Sequence, residues 1–79
     1  MGIAKSEAEL AERAATYLKA EMKRAKVTYE GLAERLKDHS LNETRDSVAA
    51  KLKRGTFAAT FLLACLAALE LEGVRLEEL

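Results

Sequence analysis

Few residues of this chain have the chemistry that catalysis needs, and their spacing does not form a catalytic arrangement. His39 is the only histidine and Cys65 the only cysteine, so one chain supplies neither a histidine cluster for a metal nor a histidine pair for acid–base chemistry. Cys65 lies in an apolar stretch, where burial should raise the pKa of a thiol and lower its reactivity. Glu30 and Glu34 are one helical turn apart, but no histidine or cysteine accompanies them. We expect no enzymatic activity and no bound cofactor or metal.

Basic side chains are better suited to binding, because lysine and arginine donate hydrogen bonds to phosphates and to base edges. Thirteen basic and thirteen acidic residues among 79 give a formal net charge of zero, which removes the simplest argument for nucleic-acid binding. The charge is unevenly placed, however: residues 13–54 contain eleven basic and six acidic residues, a net charge of +5. This region can contact phosphates, although a solvated surface without function would have the same composition. Its two basic clusters are Lys19, Lys23, Arg24 and Lys26, and Arg45, Lys51, Lys53 and Arg54.

The elements that must position these cations are predicted to be helices. Leu, Ala, Glu, Lys and Arg dominate the composition and proline is absent, which favours an all-α domain of four to five helices. Ser6 and Glu9 have capping-box spacing, so the first helix is predicted over residues 6–26. Thr28 is the predicted N-cap of a short second helix. The residues of this second helix that should face inward are Leu32, Ala33 and Leu36.

A third helix follows a turn and is predicted to begin at Asn42 or Thr44. It should end at Gly55, which occupies the position of a left-handed C-terminal cap. Val48 and Leu52 are four residues apart and should face the core.

The fourth predicted helix, over residues 57–71, differs from the others because it has no polar face. Only Thr60 interrupts its apolar run, so we expect it to be buried on several sides. The run is shorter than the roughly 20 residues that span a bilayer. Gly73 should end this helix, and the alternation over residues 74–76 could form a short edge strand.

The order of these elements is typical of a helix-turn-helix, in which a short helix supports a second helix that enters the DNA major groove. The inward residues of the second and third helices are suited to pack against each other. Ser47, Lys51 and Arg54 of the third helix are therefore predicted to contact the groove. The other predicted DNA contacts are Thr44, Lys53, Lys23, Lys26, Thr28, Tyr29 and Lys37.

A pattern of residues between positions 18 and 76 is similar to that of a known group of proteins. It comprises Lys19, Ala20, Glu21, Met22, Lys23, Arg24, Val27, Thr28, Tyr29, Leu32, Ala33, Glu34, Arg35, Leu36, Glu43, Thr44, Lys51, Leu52, Thr56, Leu63, Cys65 and Leu66. Its most specific part is the corner Arg54, Gly55 and Phe57, which leads into Phe61 and Leu62. In these residues the chain resembles small bacterial proteins with a lambda-repressor-like helix-turn-helix, and within them a domain family of unknown function. The resemblance implies the repressor-like fold, and that fold implies DNA binding.

The leading interpretation is a small cytoplasmic DNA-binding protein, a transcriptional regulator. We expect a single domain over residues 1–79, with a core at about 6–76 and no targeting signal at its start. It should bind double-stranded DNA as a homodimer, with the helix at about residues 43–54 of each copy in successive major grooves. The fourth helix and residues 74–79 offer apolar surface for the dimer. The alternative is a protein–protein interaction module, an adaptor or antitoxin-like partner, which the acidic Glu43 and Asp46 favour.

Overall fold

The computed structural model describes residues 6–79, which form four α-helices and two short 3-10 turns. The helices are α1 (Glu7–Ala25), α2 (Tyr29–Leu36), α3 (Arg45–Arg54) and α4 (Ala59–Ala68), and the turns are Lys37–His39 and Leu76–Glu78. The all-α prediction is therefore confirmed for this part of the chain. The expectation about a targeting signal concerns residues 1–5, which lie outside the described residues. No helix among residues 6–79 is long and apolar enough to cross a membrane.

The first three helices begin at the hydroxyl residues that the sequence predicted. The side-chain oxygens of Ser6, Thr28 and Thr44 each accept the backbone N–H three residues further on, at 3.1, 3.0 and 3.1 Å. Thr44 rather than Asn42 is the start of α3, and its own N–H donates to the Ser47 Oγ at 2.9 Å. These bonds satisfy backbone donors that a helix start leaves without a helical partner.

The core is built mainly by α2, which packs against both α3 and α4. The inward residues predicted for α2 and α3 are all buried. Burying these side chains of α3 leaves the opposite side of the helix exposed to solvent. The buried cluster comprises Leu18, Met22, Leu32, Ala33, Leu36, Val48, Leu52, Phe61, Cys65, Ala68 and Leu69.

α4 is shorter than predicted, and the expectation that Gly73 ends it is wrong. The backbone at Ala58 is extended, so the helix begins only at Ala59. Its end is set by Glu70, which adopts the left-handed conformation with a φ of 62°. The N–H groups of Glu70 and Leu71 both donate back to carbonyls of the last helical turn, at 2.9 Å. This is the Schellman arrangement, with glutamate where glycine is usual.

The burial of α4 is incomplete, and the prediction of a strand after it is wrong. Phe61, Cys65, Leu66 and Ala68 of α4 are buried, but one face stays exposed, on which Leu63 is 62% exposed. The segment 74–76 is not a strand, because residues 6–79 provide no second strand to pair with it. The backbone instead forms the turn Leu76–Glu78, and the Arg13 guanidinium on α1 donates to the Leu79 carbonyl oxygen at 3.2 Å. The tail is thus held by a hydrogen bond to α1.

Candidate nucleic-acid interface

The exposed face of α3 has small side chains at its centre and charged side chains at its ends. Val48 and Leu52 lie on the opposite face and are buried in the core. Residues four apart in the sequence lie on the same side of a helix, so the outer face of α3 consists of two adjacent rows of side chains. One row is Arg45, Ala49 and Lys53, and the other is Asp46, Ala50 and Arg54; Ala49 is half-buried and the other five are exposed.

Ser47 and Lys51, both predicted to contact DNA, form hydrogen bonds with Glu43 at the edge of this face. The Ser47 hydroxyl donates to the Glu43 Oε1 at 2.6 Å. The Lys51 Nζ donates to both carboxylate oxygens, at 2.9 and 3.1 Å, and also lies 5.5 Å from the centre of the Phe61 ring. The Glu43 side chain is only 13% exposed and that of Lys51 29%. Glu43 therefore neutralises Lys51 inside the protein.

The pKa values of Glu43 and of the nearby Cys65 are both shifted from their ordinary values. Burial alone would raise the pKa of Glu43, but hydrogen bonds from Ser47 and Lys51 and the positive charge of Lys51 outweigh it, so the pKa is lowered. Burial, aided by the nearby Glu43 carboxylate, raises the pKa of the Cys65 thiol to about 12. The raised thiol pKa is the one that the sequence predicted from burial.

Arg54 remains exposed at the end of α3, and its guanidinium is oriented by Thr56. The Arg54 Nε donates to the Thr56 carbonyl oxygen at 3.2 Å and to its Oγ1 at 3.1 Å, and the Nη2 donates to the same carbonyl at 2.9 Å. Both acceptors are neutral, so the positive charge of Arg54 is not compensated.

Four exposed cations, which we call the basic strip, extend from the end of α3 across α1: Arg54, Lys53, Lys19 and Lys23. Two surface hollows connect them. One, of about 400 Å³, is lined by Lys19, Lys53 and Arg54, and the other, of about 330 Å³, by Lys19, Lys23 and Tyr29. Among the described residues, no ion pair engages any member of the strip. Glu12 also lines the first hollow. Glu21, which lies between Lys19 and Lys23 along α1, is buried and pairs with Arg24.

The remaining predicted contacts lie in different settings. Thr28 and Tyr29 border the second hollow at the start of α2, and the side chain of Thr28 is occupied as the N-cap. Lys26 is exposed in the left-handed turn after α1. Lys37 pairs with Glu34 at 3.6 Å on the exposed side of α2. Thr44 is occupied as the N-cap of α3.

Sequence reasoning missed two features of this surface, the place of Lys19 in the basic strip and the contacts of Glu43. Lys19 belongs to a basic cluster, but the sequence alone did not single it out. Glu43 lies four residues before Ser47 and eight before Lys51, and that helical spacing was the available signal. The described residues contain no group of three or more His, Cys, Asp or Glu that could hold a metal ion.

Comparison with known protein families shows to which family the chain belongs. The sequence pattern described as Domain of unknown function (DUF6471) matches residues 10–74. The chain belongs to the DUF6471 family. This match includes all four helices except the first three residues of α1, and it confirms membership of a family of unknown function. No curated protein and no solved structure matches this DUF6471 member.

Proposed function

We propose that this DUF6471 protein binds duplex DNA as a small helix-turn-helix transcriptional regulator. The observation that carries the proposal is the basic strip, whose cations have no acidic partner. Of the eight described cations outside the strip, six pair with a carboxylate, and Lys26 and Arg35 do not. Those paired with a carboxylate are Arg13, Arg24, Lys37, Arg45, Lys51 and Arg75, and Arg35 donates to the Ala68 carbonyl. An uncompensated group of cations is the surface that a polyanion can neutralise with release of counterions.

The shape of α3 supports its placement in the major groove. Its ten residues extend about 15 Å, and the major groove is about 12 Å wide and admits an α-helix. Ala49 and Ala50 at the centre of the exposed face allow a close approach, while Lys53 and Arg54 at one end can reach phosphates. We propose Lys19 and Lys23 as further phosphate contacts.

The proposal includes a homodimer formed through α4, since two copies are needed to place two α3 helices in successive grooves. Leu63 is exposed at the centre of α4, with the exposed Ala59 and Ala67 one turn away on either side. Leu76 in the tail is also 60% exposed. Leu63→Glu should therefore convert a dimer into a monomer in sedimentation equilibrium. A wild-type chain that sediments as a monomer at all concentrations would contradict this part of the proposal.

Titration of a random-sequence duplex at low salt tests DNA binding. Lys53→Ala and Lys19→Ala should each weaken binding and lower the slope of log K against log salt by about 0.9, the value expected for one lost phosphate contact. Arg75→Ala is the matched control, because it removes the same charge from the tail, where Arg75 pairs with Glu77. Equal slopes for the wild type and for both strip variants would show that the basic strip does not contact DNA.

One observation favours the alternative of a protein-interaction module. An apolar hollow of about 570 Å³ lies between the start of α1 and the start of α4, lined in part by Leu10, Phe57 and Leu62. Leu10 is 40% exposed there. Absence of duplex binding at low salt, with the fold intact, would favour this alternative.

A further inference from the structure

Most polar groups on α3 are already engaged by other parts of the chain. Glu43 holds Ser47 and Lys51, and Thr56 holds the Arg54 guanidinium by its Nε and Nη2. Ala49 and Ala50 have no polar atoms in their side chains. Lys53 and Arg54 at the last turn are the proposed phosphate contacts, which leaves the first turn of α3 for sequence reading by hydrogen bonds.

Arg45 and Asp46 occupy that first turn and point into solvent. Their side chains are 67% and 84% exposed, and the Arg45 Nη2 donates to the Asp46 Oδ1 at 2.9 Å. A guanidinium has five N–H donors, so this bond leaves the others available. The N-terminal residues of a recognition helix are the ones that meet base edges in a helix-turn-helix.

We propose that Arg45 reads a guanine in the major groove and that Asp46 is the positioning residue for its guanidinium. The inference rests on the proposed DNA binding and names the base that the site recognises. Arginine donates to the guanine O6 and N7, which is the commonest specific contact in the major groove. Asp46 restrains the rotation of the guanidinium before binding, so less conformational freedom is lost when both bonds form.

An exposed ion pair of this kind contributes little to folding. Substitutions at Arg45 and Asp46 should therefore change recognition without unfolding the protein. Asp46 also brings a negative charge near the DNA, so Asp46→Asn should raise the affinity for random duplexes while it lowers the preference for guanine. A residue with a merely structural role would not change these two quantities in opposite directions.

The test begins with selection from a random duplex pool, followed by affinity measurements on a selected duplex. In a second duplex, 7-deazaguanine replaces each selected guanine in turn, which removes the N7 acceptor and keeps the base pair. We expect the wild type to bind one of these duplexes about tenfold more weakly, which lies within the roughly 5- to 150-fold discrimination that a bidentate contact provides. Arg45→Ala should bind the guanine and 7-deazaguanine duplexes equally. Lys53→Ala, the matched control on the same row of α3, should weaken both duplexes alike and keep the tenfold ratio.

Two outcomes would overturn the inference: a selected pool without guanine preference, and an Arg45→Ala variant that keeps the wild-type ratio between the guanine and 7-deazaguanine duplexes. If that variant also binds both duplexes more weakly, with a salt slope lower by about 0.9, Arg45 is a phosphate contact instead. In each of these cases DNA binding itself stands, whereas failure of the wild type to bind any duplex at low salt would refute the proposed function.

Discussion

Replacing Lys51 with methionine should destabilise the fold, because it leaves Glu43 as a buried carboxylate without its cation. The two side chains are 29% and 13% exposed, so the pair lies between a surface and a fully buried salt bridge. Exposed pairs contribute up to about 1 kcal/mol, and breaking a buried pair costs about 3 to 5 kcal/mol. The Ser47 hydroxyl, at 2.6 Å, still compensates part of the charge. We therefore expect Lys51→Met to lower the free energy of unfolding by about 2 kcal/mol near neutral pH.

The loss of stability in Lys51→Met should be larger at neutral pH than at acidic pH. The pKa of Glu43 is lowered in the folded wild type, so its stabilisation is present above the ordinary value of 4.5 and is lost as the pH falls through the lowered value. Once Glu43 is protonated in both proteins, the difference between wild type and variant should largely disappear. Urea unfolding followed by far-UV circular dichroism, at neutral pH and at acidic pH, measures both quantities.

Lys53→Met is the control, since Lys53 lies on the same helix, is exposed and has no ion-pair partner among the described residues. It should change stability by less than about 0.5 kcal/mol. A Lys51→Met protein as stable as the control, or a cost of the same size at both pH values, would refute the assigned role of the Glu43–Lys51 pair.

The other predictions concern helix ends and the thiol. Glu70→Gly should raise the free energy of unfolding by about 1 kcal/mol and the Tm by about 4 to 8 °C, because Glu70 has a φ of 62°; thermal unfolding tests this, and an unchanged Tm would contradict it. Thr44→Ala should cost about 1 kcal/mol in urea unfolding through loss of the α3 N-cap, whereas Thr60→Ala, at an exposed site within α4, should cost less. Cys65 should resist iodoacetamide in the native protein and react in denaturant, since it is buried and its pKa is raised to about 12; rapid native labelling would show that α4 opens.

Helix starts were predictable from the sequence because an N-cap is a local device. A hydroxyl oxygen reaches the N–H three residues on whatever the rest of the chain does, so Ser6 and Thr28 were identified correctly and Thr44 was one of two candidates with Asn42. Gly55 was found for the same reason, since its left-handed conformation is cheap only for glycine.

The end of α1 was predicted at Lys26, whereas the turns at Ser40 and Glu70 were harder to locate. Each of the three places a non-glycine residue in the left-handed conformation. In each case the next residue, Val27, Leu41 or Leu71, donates its N–H to the carbonyl five residues earlier, at 2.9 to 3.1 Å. These three apolar side chains also pack against the core. Burial of the apolar residue after the cap offsets the strain of the left-handed residue before it. Two apolar residues five apart in the sequence were therefore the available signal for such a helix end.

The amino-acid sequence by itself determined the helical class, the N-caps and the inward faces of α2 and α3, because these depend on residues within one or two turns of each other. Tertiary packing decided which cations remain available. Lys51 and Lys53 are two residues apart and were both predicted to contact DNA, yet the fold partly buries Lys51 against Glu43 and Phe61 and leaves Lys53 exposed. The physical reason is that the availability of a charge depends on its neighbours in space, and those of Lys51 come from the turn before α3 and from α4.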